Sequence, residues 1–84
     1  MAYLIVEVKG VAMQNLDIFA FRVKKLRKQR RLSQKELGEA IGLTAKSICT
    51  IEGGTRVTTI EKLILLAQFF EVSTDYLLGL KDEP

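Results

Sequence analysis

Histidine is absent from this sequence, and Cys49 is its one cysteine. Those shortages exclude a disulfide framework within the chain and a His/Cys zinc site. There is also no metal-ligand cluster, no glycine-rich phosphate loop and no nucleophile paired with a base, so the sequence predicts neither an enzyme nor a cofactor. Nothing is long enough to span a bilayer, and no membrane partner is expected. The first residues do not make a signal peptide, because the apolar run is very short, Glu7 interrupts it, and no basic segment precedes it. Nothing points to secretion, so a reducing cytoplasm is the expected compartment. Internal repeats and low-complexity segments are absent too.

What is present is ample apolar material: 48% of the 84 residues are hydrophobic. That argues against disorder and for one domain. A domain of this size is marginal unless its core is efficient or it oligomerises. The net charge of +3 is unevenly spread. Residues 22–56 carry ten Lys and Arg against Glu36, Glu39 and Glu52, between mildly acidic flanks. A block like this suits a polyanion, most often nucleic acid. A solvated helix face is the alternative.

The N-terminal segment reads apart from the rest. Ala2 to Val8 is rich in β-branched and aromatic residues before Lys9-Gly10, which is a strand signal. A lone strand needs a partner from a symmetry mate or a distant edge. Met13 offers another reading, in which residues 1–12 are a start-site extension. Residues 1–16 are therefore set apart as an N-terminal extension, with a short β-strand at Tyr3–Val8 as one of its readings.

From Asp17 the pattern turns helical. Phe19, Val23 and Leu26 recur at helical spacing among Arg and Lys. Ser33 lies three before Glu36, the spacing of a capping box. Leu37, Ala40 and Ile41 form the expected inner stripe of a second helix, and Gly42 suits its C-terminus. Thr44 can cap a third helix whose Ile48 and Ile51 face inward and which ends at Gly53-Gly54. Thr58 or Thr59 can cap a fourth, with Ile60, Leu63, Ile64, Ala67 and Phe70 as its stripe. Ser73 caps a short fifth helix carrying Tyr76, Leu77 and Leu78. The polar tail 81–84 is expected to fray. The result is an all-α fold: a compact five-helix domain over residues 17–80.

The second and third helices, joined by a tight turn at Gly42, form a helix-turn-helix. Their close approach calls for a small residue, which Gly38 supplies at a cost of about 1 kcal/mol in helix propensity. The third helix then has Ala45, Lys46, Ser47 and Thr50 on its outer face. Small and long polar groups of this kind suit base edges and phosphates in a major groove.

The stretches "RVKKLRKQRRLSQKEL", "GLTAKSICTIEGG" and "TIEKLILLAQFFEVSTDYLL" together resemble the phage-repressor helix-turn-helix domain, the Cro-like or Xre family. The resemblance runs from Arg22 to Leu78 and implies sequence-specific binding of double-stranded DNA. It implies that Gln34 contacts phosphate and that Ala45, Lys46, Ser47 and Thr50 lie where bases are read, with the cap Thr44 before them counted among the DNA-binding residues. It also implies an ion pair between Arg27 and Glu52 linking the first and third helices. Arg56, in the loop after the third helix, is a further candidate for phosphate. The chain departs from the family at Arg31, often Gly there, at Gly53, often polar, and at Thr58, often Pro.

Blander readings accompany these. Gln34 and Lys46 can be merely exposed, Ser47 and Thr50 can pad the surface, and Cys49 reads as a small helix filler. The run from Arg22 to Arg31 reads as general electrostatic attraction, apart from Arg27. The expected function is a transcriptional regulator, a repressor occupying a near-palindromic operator as a homodimer. The rival is an antitoxin-type module that docks a partner protein. The fifth helix and the N-terminal strand are the candidate dimer surfaces.

Overall fold

The computed structural model of the chain describes the backbone of residues 2–55 and 58–84, and the side chains of residues 16–55 and 58–84. Its five helices are α1 (Ala2–Gln29), α2 (Gln34–Ile41), α3 (Ala45–Glu52), α4 (Ile60–Phe70) and α5 (Thr74–Leu77). The all-α, five-helix expectation is borne out. Residues 3–8, read as a strand, have side chains outside the described residues, and their backbone belongs to α1. There is no strand among the described residues. A helix pairs its own N–H and C=O groups, whereas a lone strand needs a neighbour to do so.

Local sequence sets where each helix starts. The Ser33 hydroxyl accepts from the Glu36 N–H, and the Ser33 N–H donates back to the Glu36 carboxylate at 2.8 Å, so the capping box is complete. Hydrogen bonding from Ser33 to the carboxylate, from its backbone N–H first and its hydroxyl second, holds the Glu36 carboxyl below its usual range. Thr44, Thr59 and Ser73 cap α3, α4 and α5 through their hydroxyls.

Helix ends carry the more telling geometry. α1 closes with the Leu32 N–H donating to the Arg27 carbonyl while Arg31 takes a left-handed φ of 56°. That conformation favours glycine, which explains why the resembling family often has Gly here. Gly42 sits at φ 79° after α2, as its position predicts. A Cβ on Gly38 would stand 2.5 Å from the Leu43 carbonyl oxygen, so the turn into α3 passes directly over a bare backbone.

The core gathers Phe19 and Val23 from α1, Leu37 and Ile41 from α2, and Ile48 and Ile51 from α3. Leu66, Ala67 and Phe70 from α4 and Tyr76 and Leu77 from α5 complete it. Two stripes differ from expectation. In α2, Ala40 is exposed and Gly38 is buried instead, because α3 approaches on the Gly38 side. In α4, Ile60 and Ile64 are 77% and 43% exposed, and Leu66 takes the core position. Apolar residues occupy nearly every position of "IEKLILLAQFF", so periodicity does not single out a face.

The polar tail is hydrogen-bonded to the domain. Arg22 donates to the Lys81 carbonyl at 2.7 Å and pairs with Asp82 at 3.5 Å, and the Ser73 N–H donates to the Pro84 carbonyl at 2.9 Å. Arg22 also donates to the Tyr76 carbonyl and lies over the Tyr76 ring, 4.1 Å from its centroid.

Candidate nucleic-acid interface

α3 places its residues by helical rotation. Ile48 and Ile51 point into the core, so Lys46, Cys49 and Thr50 turn outward, with Ala45 and Ser47 at the margins. Lys46 is exposed, and no side-chain partner engages it among the described residues. The Thr50 hydroxyl donates to the Ser47 carbonyl at 2.9 Å, which leaves its methyl and its lone pairs to face outward. The Thr44 hydroxyl accepts from the Ser47 N–H and donates to the Ser47 Oγ at 3.0 Å. Thr44 and Ser47 therefore shape the start of α3 before they touch anything else. Cys49 is exposed one turn after Lys46, on the outer face rather than packed as a filler. Its helical angle from Ile48 was the signal for this.

Behind α3 lies an anchor. Arg27 Nε donates to Glu52 Oε2 at 2.6 Å and Arg27 Nη2 to Glu52 Oε1 at 2.9 Å, a bidentate pair. The side chains are 11% and 3% exposed. Hydrogen bonding to Glu52 holds the Arg27 guanidinium above its already high ordinary pKa. The third Arg27 nitrogen donates to the Leu32 carbonyl at 2.7 Å. Gln34, at the start of α2, donates to Glu52 Oε1 at 3.3 Å. One carboxylate thus ties the end of α1, the start of α2 and the end of α3 together. With Gly38 beneath the turn, this fixes the angle at which α3 is presented. The structure brings Gln34 to this anchor, a contact that the sequence does not signal. Arg56 lies outside the described residues.

In the basic run from Arg22 to Arg31, three arginines engage other elements while Arg31 is exposed. Arg22 grips α5 and the tail. Arg27 grips α3. Arg30 donates to the Phe69 carbonyl at 2.7 Å and lies 5.3 Å from the ring centroids of Phe69 and Phe70, at the end of α4. Lys24, Lys25 and Lys28 are exposed instead. Lys62 makes a similar staple elsewhere, donating to the Ile41 carbonyl at the end of α2 at 3.0 Å. These staples were not legible as such, since a basic run looks alike whether it meets carbonyls or solvent.

Comparison with known proteins fits this geometry. Residues 21–83 match the family "Helix-turn-helix domain". The chain belongs to that family. It is 36% identical over 67 residues, 80% of its length, to the uncharacterized HTH-type transcriptional regulator YobD of Bacillus subtilis. It is 34% identical over 61 residues, 73% of its length, to the uncharacterized HTH-type transcriptional regulator YqaE of the same organism. The matched segments span 60% and 53% of those relatives. The solved structure of the restriction-modification controller protein C.AhdI from Aeromonas hydrophila superposes with a TM-score of 0.68 at 26% identity. That match covers 76% of this chain and 97% of that one. The likeness to the Cro-like and Xre domains is borne out. No helix among the described residues is long and apolar enough to cross a membrane.

Proposed function

We propose that this helix-turn-helix domain binds double-stranded DNA with α3 in the major groove and regulates transcription in the cytoplasm, as a repressor occupying a near-palindromic operator as a dimer. The observation that carries this reading is the pairing of an outward polar face on α3 with a rigid anchor behind it. A reading helix must be held at one angle, and the Arg27–Glu52–Gln34 network with the Gly38 contact does that. The names of YobD and YqaE as transcriptional regulators support the same assignment. In this reading Lys46, Thr50, Ala45 and Ser47 meet base edges, Thr44 and Arg56 lie along the backbone, and Gln34 reaches phosphate from the start of α2.

An eight-residue helix reaches few base pairs, so specificity calls for two copies on half-sites about one helical turn apart. Tyr76 and Leu77 are buried in the core and cannot supply the contact between them. Exposed Ile60 and Ile64 can. The same helix carries Leu63, which with Phe19, Thr58 and Leu78 lines an open apolar pocket of about 150 Å³. Exposed isoleucines and an apolar pocket offered by each of two copies suit a two-fold contact.

The test is a binding selection from genomic fragments, followed by footprinting and sedimentation of the bound species. The expected result is a protected near-palindrome holding two copies, and loss of the second copy in Ile60→Glu. A single copy on the selected site contradicts the dimer. Failure to enrich any site contradicts the DNA reading and favours a protein partner instead.

A further inference from the structure

Besides Lys46 on the reading helix, the domain exposes a cluster of lysines on α1. Along the basic run, Arg22, Arg27 and Arg30 engage acceptors on α5, α3 and α4. Lys24, Lys25 and Lys28 are exposed, with no ion pair among the described residues. One turn before the lysines sits Phe21, 67% exposed. Phe21, Lys25 and Lys28 follow an i, i+4, i+7 spacing and so share one face of α1, with Lys24 at its border. Asp17, one turn before Phe21, is exposed at the same side, and Asp82 of the tail pairs with Arg22 at the opposite border.

This face points away from the core that Phe19 and Val23 enter, just as Lys46 and Thr50 point away from it on α3. The Phe21 face and the outer face of α3 thus belong to different helices of the domain.

We infer that the Phe21–Lys25–Lys28 face of α1 is a second docking surface, and that its occupant is an acidic amphipathic helix of a protein partner. Charge complementarity supplies the acidic side: Lys25 and Lys28 follow Phe21 along the same face, one and two turns on, and neither is paired among the described residues. Phe21 supplies the other requirement. An exposed aromatic at the end of a row of lysines offers an apolar anchor beside a charged rim. Phosphates of a duplex would meet the lysines but leave the ring in water. A bilayer surface calls for a broader apolar face than one phenyl ring. An acidic helix with a single apolar stripe satisfies both groups, placing its stripe on Phe21 and its carboxylates on Lys25 and Lys28.

The experiment titrates the isotopically labelled full chain with a synthetic helical peptide bearing a leucine stripe flanked by glutamates. A scrambled peptide of the same composition is the control. Saturable changes are expected in the amide signals of residues 18–28, with those of residues 45–50 unmoved. Phe21→Ser and the double variant Lys25→Glu/Lys28→Glu should each weaken the peptide about tenfold or more. Phe21→Ser should keep the wild-type melting curve and bind DNA within about twofold of wild type, because the ring does not pack against the core.

Several results overturn the inference. The peptide can fail to saturate, or shift α3 instead. It can bind Phe21→Ser as tightly as wild type, which makes the attraction bare electrostatics. Loss of DNA binding in Phe21→Ser assigns the face to the duplex. Phe21-dependent binding to phosphatidylglycerol vesicles without binding to the peptide assigns it to a membrane. Self-association that disappears in Phe21→Ser assigns it to a second copy.

Discussion

α1 and α3 divide the work of this domain in a way their sequences disguise. α1 holds half of the basic block, yet its Arg22 and Arg27, with Arg30 just after it, turn to carbonyls, a carboxylate and aromatic rings inside the molecule. α3 holds a single lysine, Lys46, which is exposed along with Cys49 while Thr50 beside them is half-buried. The comparison teaches that charge density marks the framework here and that exposure marks the reading surface. Guanidinium groups suit the first task because their planar forks satisfy several acceptors at once. Small polar residues suit the second because they let a helix approach a groove closely.

The sharpest way to break this division is to cut the link between the two helices. Glu52→Ala leaves Arg27 buried without its partner, a change that costs about 3–5 kcal/mol. For a chain this small that lowers the melting temperature by tens of degrees or abolishes folding, and all DNA binding weakens with it. An unchanged calorimetric transition would show that the pair does not anchor α3. Glu52→Gln keeps hydrogen bonds to Arg27 and should lose less.

Next in size is Gly38→Ala. The added methyl meets a carbonyl of the turn rather than a flexible side chain, so α2 and α3 must shift apart. A loss of roughly 1–3 kcal/mol is expected in urea unfolding. Since an alanine in an open helix stabilises, a gain in midpoint would contradict the close approach.

The capping box of α2 gives a smaller and pH-dependent effect. Ser33→Ala should cost about 1 kcal/mol at neutral pH. Glu36 has its carboxyl held below the usual range in the folded state, so its contribution is present above the ordinary glutamate pKa of about 4.3. It is lost as pH falls through the lower folded value. The gap between wild type and Glu36→Gln in thermal midpoint should close on acidification and persist at neutral pH.

The smallest expected change is a gain. Arg31 at φ 56° has an exposed side chain, so Arg31→Gly relieves strain there and should stabilise by roughly 0.5 kcal/mol after the greater freedom of glycine in the unfolded chain is counted. A loss of stability would mean that the Arg31 side chain holds a contact worth more than the strain.

Much of this architecture was legible before the structure. Caps at Ser33, Thr44 and Ser73, the turn at Gly42 and the close packing at Gly38 all follow from local chemistry, where one residue type satisfies one geometric need. Faces were harder to assign. α4 is apolar nearly all round, so the choice of Leu66 over Ile64 for the core rests on tertiary packing. Ala40 is small enough for either side of α2. The staples of Arg22, Arg30 and Lys62 end on carbonyls of distant residues, and no local pattern encodes such partners. For the interface, helical rotation gave the outer face of α3. The link from Gln34 to Glu52 depends on how two helix ends meet in space.

The central claim is that α3 reads the DNA while the arginines of α1 hold the frame. Titration of Lys46→Ala and Thr50→Ala against the selected operator and a scrambled duplex, at several salt concentrations, tests it most directly. Each variant should lose roughly 1–3 kcal/mol on the operator, with altered preference at one or two base positions. Binding to the scrambled duplex should be nearly unchanged for Thr50→Ala and only modestly weaker for Lys46→Ala. Operator binding equal to wild type in both variants would contradict the account, since the exposed face of α3 would then not be the reader.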